Sequence, residues 1–245
     1  MTKEQYLLEP ALYLVPTPIG NREDITLRAL RVLASADILA AEDTRALKQL
    51  LAMYKLPVRT IVSYHEHNER QKSKELIAKI VGGNSVAYCS EAGMPLVSDP
   101  GYRLVEEAIA QGVRIVPLPG ASAALTALVA SGLAVHAFTF LGFPPHKKGR
   151  RTFLARAANR EETVILYESP HRIERLIAEL RQLCGDDRRC VLARELTKVH
   201  ESFYRGTLGE IAQQLGSTIP VRGEFVVLLQ GQSTLAEECS LRSKE

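Results

Sequence analysis

Four cysteines are spread through the 245 residues as Cys89, Cys184, Cys190 and Cys239, and no two stand as Cys-x-x-Cys. That spacing argues against a disulfide framework and against a zinc site. His65 and His67 share one side of an extended segment, but no nearby Cys or His completes a ligand set, so no metal is expected. No apolar run approaches the ~20 residues that cross a bilayer. Met1-Thr2-Lys3-Glu4 lacks the apolar core of a secretion signal, so the expectation is a cytoplasmic protein without a membrane partner. There is no Gly-x-Gly-x-x-Gly after the first strand and no Gly-x-x-x-x-Gly-Lys-[Ser/Thr] anywhere, so a dinucleotide or triphosphate cradle lacks its usual chemistry. Excess charge is small as well: 31 Lys and Arg against 28 Asp and Glu give a net +3, which allows an anionic partner without demanding one.

What is present is a regular alternation. With 46% hydrophobic and 24% charged residues, the chain has the composition of one large or two modest globular domains. Leu12 to Val15 reads as a strand ended by Pro16-Thr17-Pro18-Ile19-Gly20-Asn21. Asp24 is then placed to cap a helix whose Ile25, Ala29, Leu30 and Leu33 share a face. Ile38 to Ala41 is a second strand, delivering Glu42, Asp43, Thr44 and Arg45 to the next helix, and Thr60 to Tyr64 a third, with its helix closed by Gly82-Gly83. Ser85 to Cys89 is a fourth strand, leading into the irregular stretch from Ser90 to Gly101. Val113 to Val116 is a fifth, ended by Pro117-Leu118-Pro119-Gly120. Such alternation predicts an α/β domain with a mostly parallel sheet and helices on both faces. Past Ser131-Gly132 the connections shorten, which predicts a second α/β domain with a mixed sheet. The expected domains are residues 1–132 and 133–231, followed by a polar tail, 232–245.

Parallel neighbours share one carboxyl edge, so the loops at 16–21, 42–45, 90–101 and 117–122 should converge. They bring carboxylates at Asp24, Glu42, Asp43 and Asp99 and a cation at Arg45. Plainer readings stand beside each motif. Glu42 to Arg45 also suits an ordinary helix start, and Lys147 to Arg151 a solvated charged loop. Ser169 suits a helix cap, and Arg194-Glu195-Leu196-Thr197-Lys198 a surface ion-pair cluster.

Several of these segments occur together and in order: Leu14 to Asn21, Asp24-Ile25-Thr26, Glu42 to Arg45, Ser98-Asp99-Pro100-Gly101, Pro117 to Gly120, Tyr167-Glu168-Ser169, His171-Arg172, Ala193 to Lys198 and Arg222-Gly223-Glu224. In this the chain resembles the tetrapyrrole-methylase-like, S-adenosylmethionine-dependent superfamily, and within it the enzymes that methylate small-subunit ribosomal RNA. The central loop departs from the expected Asp-Ala-Gly-Thr-Pro, with Glu91 and Met94 in place of the shorter acid and the hydroxyl.

The resemblance implies two α/β domains with S-adenosyl-L-methionine in the cleft between them, a homodimer, and 2′-O-methylation of a decoding-region cytidine in small-subunit (16S) rRNA or the 30S subunit. It places Pro18, Gly20, Gly93, Met94, Val97, Ser122, Ala123 and Glu168 around the cofactor. The polar candidates for chemistry are Asp24, Glu42, Asp43, Arg45, Asp99 and Glu195, unranked. Lys147, Lys148, Arg150, Arg151, Arg172 and Lys198 are the candidates for RNA phosphates. Two alternatives stay open: a methyltransferase of the same superfamily acting on a tetrapyrrole or another small molecule, and a non-catalytic module that binds RNA or the ribosome.

Overall fold

A computed structural model describes residues 7–232; Met1 to Glu4, the tail beyond residue 232 and Cys239 lie outside them. The chain divides into two compact units, 1–122 and 123–245. The division falls ten residues before the boundary expected near Gly132, because the helix at 123–129 packs on strands of the second unit.

In the first unit the elements follow as β1 (Leu12–Val15), α1 (Leu27–Ser35), β2 (Ile38–Ala41), α2 (Thr44–Met53), β3 (Thr60–Ser63), α3 (Glu69–Val81), β4 (Val86–Cys89), α4 (Tyr102–Ala110) and β5 (Ile115–Pro117). The sheet order is β3-β2-β4-β1-β5. All four pairings are parallel, so every strand opens its carboxyl end on the same rim. Alternate residues of each strand serve different cores. Tyr13, Val15, Leu39, Ala41, Ala87 and Cys89 pack with Val32, Leu33, Leu47 and Leu51 of α1 and α2. Leu12, Ile38, Ala40, Val86 and Tyr88 pack with Leu76, Ile77, Leu104 and Ala108 of α3 and α4. Helices on both faces explain why β2 and β4 are buried at every position.

One expected detail is corrected. Asp24 does not cap α1; it ends a short 3-10 turn, Arg22–Asp24, capped by Asn21. The cap of α1 is Thr26, whose Oγ1 accepts the Ala29 N–H at 3.0 Å. A hydroxyl directly before the first helical residue reaches that orphan donor, and Asp24 lies too far upstream.

The second unit runs α5 (Ala123–Val129), β6 (Phe138–Gly142), α6 (Arg150–Ala158), β7 (Thr163–Glu168), α7 (Ile173–Cys184), β8 (Arg189–Arg194), β9 (Ser202–Thr207), α8 (Leu208–Gln214) and β10 (Phe225–Leu229). Its sheet, β6-β7-β10-β8-β9, is mixed: only β6 and β7 pair in parallel. The short β8-to-β9 turn dictates antiparallel pairing there, since a parallel return needs a long crossover. Among the described residues, no helix is long and apolar enough to cross a membrane.

Candidate functional site

At the rim of the first sheet the loops hold one another. Pro16 cannot extend the β1 ladder. Thr17, beyond it, forms an antiparallel bridge to the loop after β4: its N–H donates to the Gly93 carbonyl at 3.1 Å, and the Gly93 N–H returns a bond at 3.0 Å. The buried Thr17 hydroxyl also donates to the Glu91 carbonyl at 3.1 Å, and Ser90 Oγ donates to the Gly93 carbonyl at 2.6 Å. The loop after β5 closes in from the other side. A Cβ on Gly120 would stand 2.5 Å from the Pro16 Cβ, and one on Gly93 would meet Ile19 Cγ2 at 3.2 Å and the Ala121 carbonyl at 3.5 Å. The segments carrying Pro18 and Gly20, Gly93, Met94 and Val97, and Ser122 therefore converge within this unit. Ala123 and Glu168 belong to the second.

The loop after β4 is strained. Leu96 and Ser98 adopt φ of 70° and 64°, although neither is glycine. Such conformations cost ~1–3 kcal/mol each and persist only where the surroundings over-determine them, as at ligand clamps. The far end of the loop is pinned to β4: Tyr88 donates its hydroxyl to the Pro100 carbonyl at 2.7 Å, and a Cβ on Gly101 would meet Tyr88 Cε1 at 2.7 Å.

Between these anchors sits Asp99, with Oδ2 buried and without a hydrogen-bond partner among the described residues. Burial, then the nearby carboxylates Glu42 and Glu91, push its pKa up to about 6. Glu42, just past the end of β2, is raised for the same reasons, burial first and Glu91 next, with His65 after β3 pulling the other way. Two neighbouring strand ends, those of β2 and β4, thus gather Glu42, Glu91 and Asp99 into one acidic group. The burial and mutual repulsion that raise Asp99 and Glu42 are what a proton acceptor needs to work near neutral pH.

The other polar candidates separate from this group. Asp43 caps α2: its Oδ1 accepts the Arg45 and Ala46 N–H groups at 2.7 and 3.3 Å, and Oδ2 pairs with Arg45 Nη2 at 3.3 Å. These bonds, that of the Arg45 N–H foremost, hold its pKa low, which disfavours proton uptake. Arg45 leaves 87% of its side chain exposed. Asp24 is exposed on its turn. Glu195 lies in the second unit, where its Oε1 accepts from Lys198 Nζ at 3.0 Å and the Glu224 N–H at 2.9 Å.

The basic candidates divide too. Arg150 is corrected from an exposed RNA contact to an interior residue, its side chain only 2% exposed. Nε bonds Glu179 at 2.7 Å, and Nη1 reaches Glu168 at 3.5 Å and the Pro145 carbonyl at 3.2 Å. Arg172 bonds Glu168 Oε1 at 2.8 Å and the Pro144 carbonyl at 3.4 Å. The fully buried Glu168 carboxylate is therefore engaged inside its own unit. Lys198 bridges Glu195 and Glu224. Lys147, Lys148 and Arg151 remain exposed, and none has an ion-pair partner among the described residues. Ser169 does not cap α7; its hydroxyl accepts from Arg172 Nε at 3.3 Å.

Sequence reasoning places Thr17 and Ser90 in the converging loops but assigns neither side chain a role. The signal for Thr17 is its place between two prolines, where it supplies the only backbone N–H of the three residues. No group of three or more His, Cys, Asp or Glu suited to a metal occurs among the described residues.

Residues 11–212 match the family model of the Tetrapyrrole (Corrin/Porphyrin) Methylases. The chain is 50% identical over 232 residues to a Mesorhizobium japonicum protein named Ribosomal RNA small subunit methyltransferase I, covering 94% of this chain and 79% of that one. A Halalkalibacterium halodurans protein of the same name is 46% identical over 227 residues, covering 92% and 78%. Among solved structures, uroporphyrin-III C-methyltransferase from Thermus thermophilus, complexed with S-adenosylhomocysteine, is 22% identical. It superposes with a TM-score of 0.61 over 92% of this chain and 99% of that one, a likeness of fold.

Proposed function

The chain belongs to the tetrapyrrole (corrin/porphyrin) methylases, and from that premise we propose that it transfers a methyl group from S-adenosylmethionine to the 2′-hydroxyl of a cytidine in small-subunit ribosomal RNA. The observation that carries the reading is the rim of the first sheet, where mutually bonded loops hold a buried carboxylate oxygen of Asp99, without a hydrogen-bond partner among the described residues, beside further acids. The names of the relatives support ribosomal RNA as the substrate.

The residues suit the cofactor. S-Adenosylmethionine carries a sulfonium and an ammonium against one carboxylate, and a net cation is what an acidic rim attracts. The backbone of Pro18, Gly20, Gly93, Met94, Val97 and Ser122 would hold it, with side chains kept small where loops touch. When bound, it supplies an activated methyl group, which leaves the protein to align the ribose and accept a proton.

Asp99 is the group we assign to that proton. A carboxylate whose pKa lies near 6 is still mostly ionised at neutral pH and binds a proton more tightly than an ordinary aspartate. Burial first, and then repulsion from Glu42 and Glu91, keep it basic, and the bonded ends of the loop keep it in place.

Calorimetry tests the cofactor site. The protein should bind S-adenosylmethionine at one site per chain, and Gly120→Val, which drives a side chain into the Pro16 ring, should weaken binding by ~10-fold or more. Unaltered binding by a folded Gly120→Val, or none by the unaltered protein, overturns the assignment.

A further inference from the structure

The second unit carries an exposed aromatic ring that the reaction above does not use. Phe143 follows β6 and is 51% exposed. Its direction is set by a bulge: Phe140 pairs with Ile165 and Gly142 with Leu166, so Leu141 is one residue too many. Gly142 takes φ of 65° to absorb it. A bulge shifts strand alternation by one. Without it Phe143 would face away from Phe140; with it, both rings meet Tyr167, at centroid distances of 5.5 and 4.9 Å and interplanar angles of 66°. Tyr167 is itself fixed, accepting the Ala124 N–H on its hydroxyl at 3.1 Å.

The segment beyond Phe143 is equally constrained. Arg172 and Arg150, both tied to Glu168, hold the Pro144 and Pro145 carbonyls at 3.4 and 3.2 Å. The turn then presents Lys147 and Lys148, and α6 presents Arg151. Lys147 is four residues from Phe143, at most ~14 Å, so an aromatic face and a cation without an ion-pair partner among the described residues lie within a few nucleotides' reach, with Lys148 and Arg151 next along the chain. Isolated exposed hydrophobics are common and need no explanation. A half-exposed ring, turned by a bulge onto Tyr167 and bordered by cations without an ion-pair partner among the described residues, is the combination that binds unpaired nucleotides.

We propose that Phe143 is a stacking platform for an unpaired base of the RNA substrate, with Lys147, Lys148 and Arg151 on the adjoining phosphates. This deepens, and rests on, the reading of the chain as an RNA methyltransferase. Stacking contributes an affinity that salt barely affects, whereas phosphate contacts set the salt dependence.

The test is filter binding of small ribosomal subunits from cells lacking this chain, across a salt series, beside methyl transfer to the same subunits. Phe143→Ala should weaken binding by roughly 5- to 150-fold at every salt concentration, with the slope against salt unchanged. Phe143→Trp should restore it, and Lys147→Ala/Lys148→Ala/Arg151→Ala should flatten the slope. Phe143→Ala binding within twofold of the unaltered protein, or Phe143→Trp binding as weakly as Phe143→Ala, overturns stacking. If the unaltered protein binds subunits but transfers no methyl group, the methyltransferase reading fails and stacking is still judged on binding. If it does neither, both fail.

Discussion

Asp99→Asn is expected to lower kcat by ~10²- to 10⁴-fold, the usual contribution of a positioned general base, while leaving the KM for S-adenosylmethionine within a few-fold. Asparagine preserves the shape but cannot take a proton. The unaltered enzyme should gain activity as pH rises through about 6, as Asp99 ionises, and then level off. The variant should lack that limb. The same substitution should act on stability with the opposite sign. The folded-state pKa of Asp99 is raised from 3.8 to about 6, so the native protein binds this proton more tightly than the unfolded chain. Its contribution to stability is therefore complete below 3.8 and is lost as pH rises through about 6. At pH ~7.5 Asp99→Asn should melt at a higher temperature than the unaltered protein, and near pH ~4 the difference should close. A variant both slower and more stable marks a residue kept for its chemistry. Equal activity, or a lower melting temperature at the higher pH, contradicts the assignment.

Glu168→Ala should destabilise the second unit by about 3–5 kcal/mol. The Glu168 side chain is fully buried and stands between Arg150, 2% exposed, and Arg172, 17% exposed. Removing it leaves two guanidinium groups in low dielectric with Glu179, the Ser169 hydroxyl and the Pro144 and Pro145 carbonyls as the remaining acceptors among the described residues. Arg150 Nη2 already lacks a partner among the described residues, so the cluster has no spare acceptor to offer. Urea unfolding should show the loss. Glu168→Ala with Arg150→Met should recover part of it, because the pair then leaves fewer unmatched charges. A change under ~1 kcal/mol for Glu168→Ala would mean that the network relaxes around the gap.

The parallel rim was legible because each strand is short, apolar and ended by proline or by a change to polar residues. Pro16 and the Pro117-Leu118-Pro119 run mark the turns where the structure puts them. Helical stripes such as Leu47 and Leu51, or Leu176, Ile177 and Leu180, appear where 3.6-residue periodicity places them. Arg150 was not legible. Lys147 to Arg151 reads as one basic run, but α6 begins at Arg150. Consecutive helical residues point ~100° apart, so Arg150 turns inward to Glu168 and Glu179 while Arg151 stays in solvent. The separation of Asp43 from Asp99 was hidden for a similar reason. Both are acids in loops after strands; the capping bonds of Asp43 are local, as the helix-start reading allows, but only the tertiary structure buries Asp99 Oδ2 without a partner among the described residues.

The central claim is that a methyl group passes from S-adenosylmethionine to an RNA ribose at the rim of the first sheet. Its most direct test is to incubate the purified protein with methyl-labelled S-adenosylmethionine and small ribosomal subunits from cells lacking this chain, then map the label by nuclease digestion and mass spectrometry. The account predicts label on the ribose of one cytidine in the small-subunit RNA, and its near-disappearance with Asp99→Asn. Label on a base, label undiminished by Asp99→Asn, or no transfer by protein that binds the cofactor would contradict it.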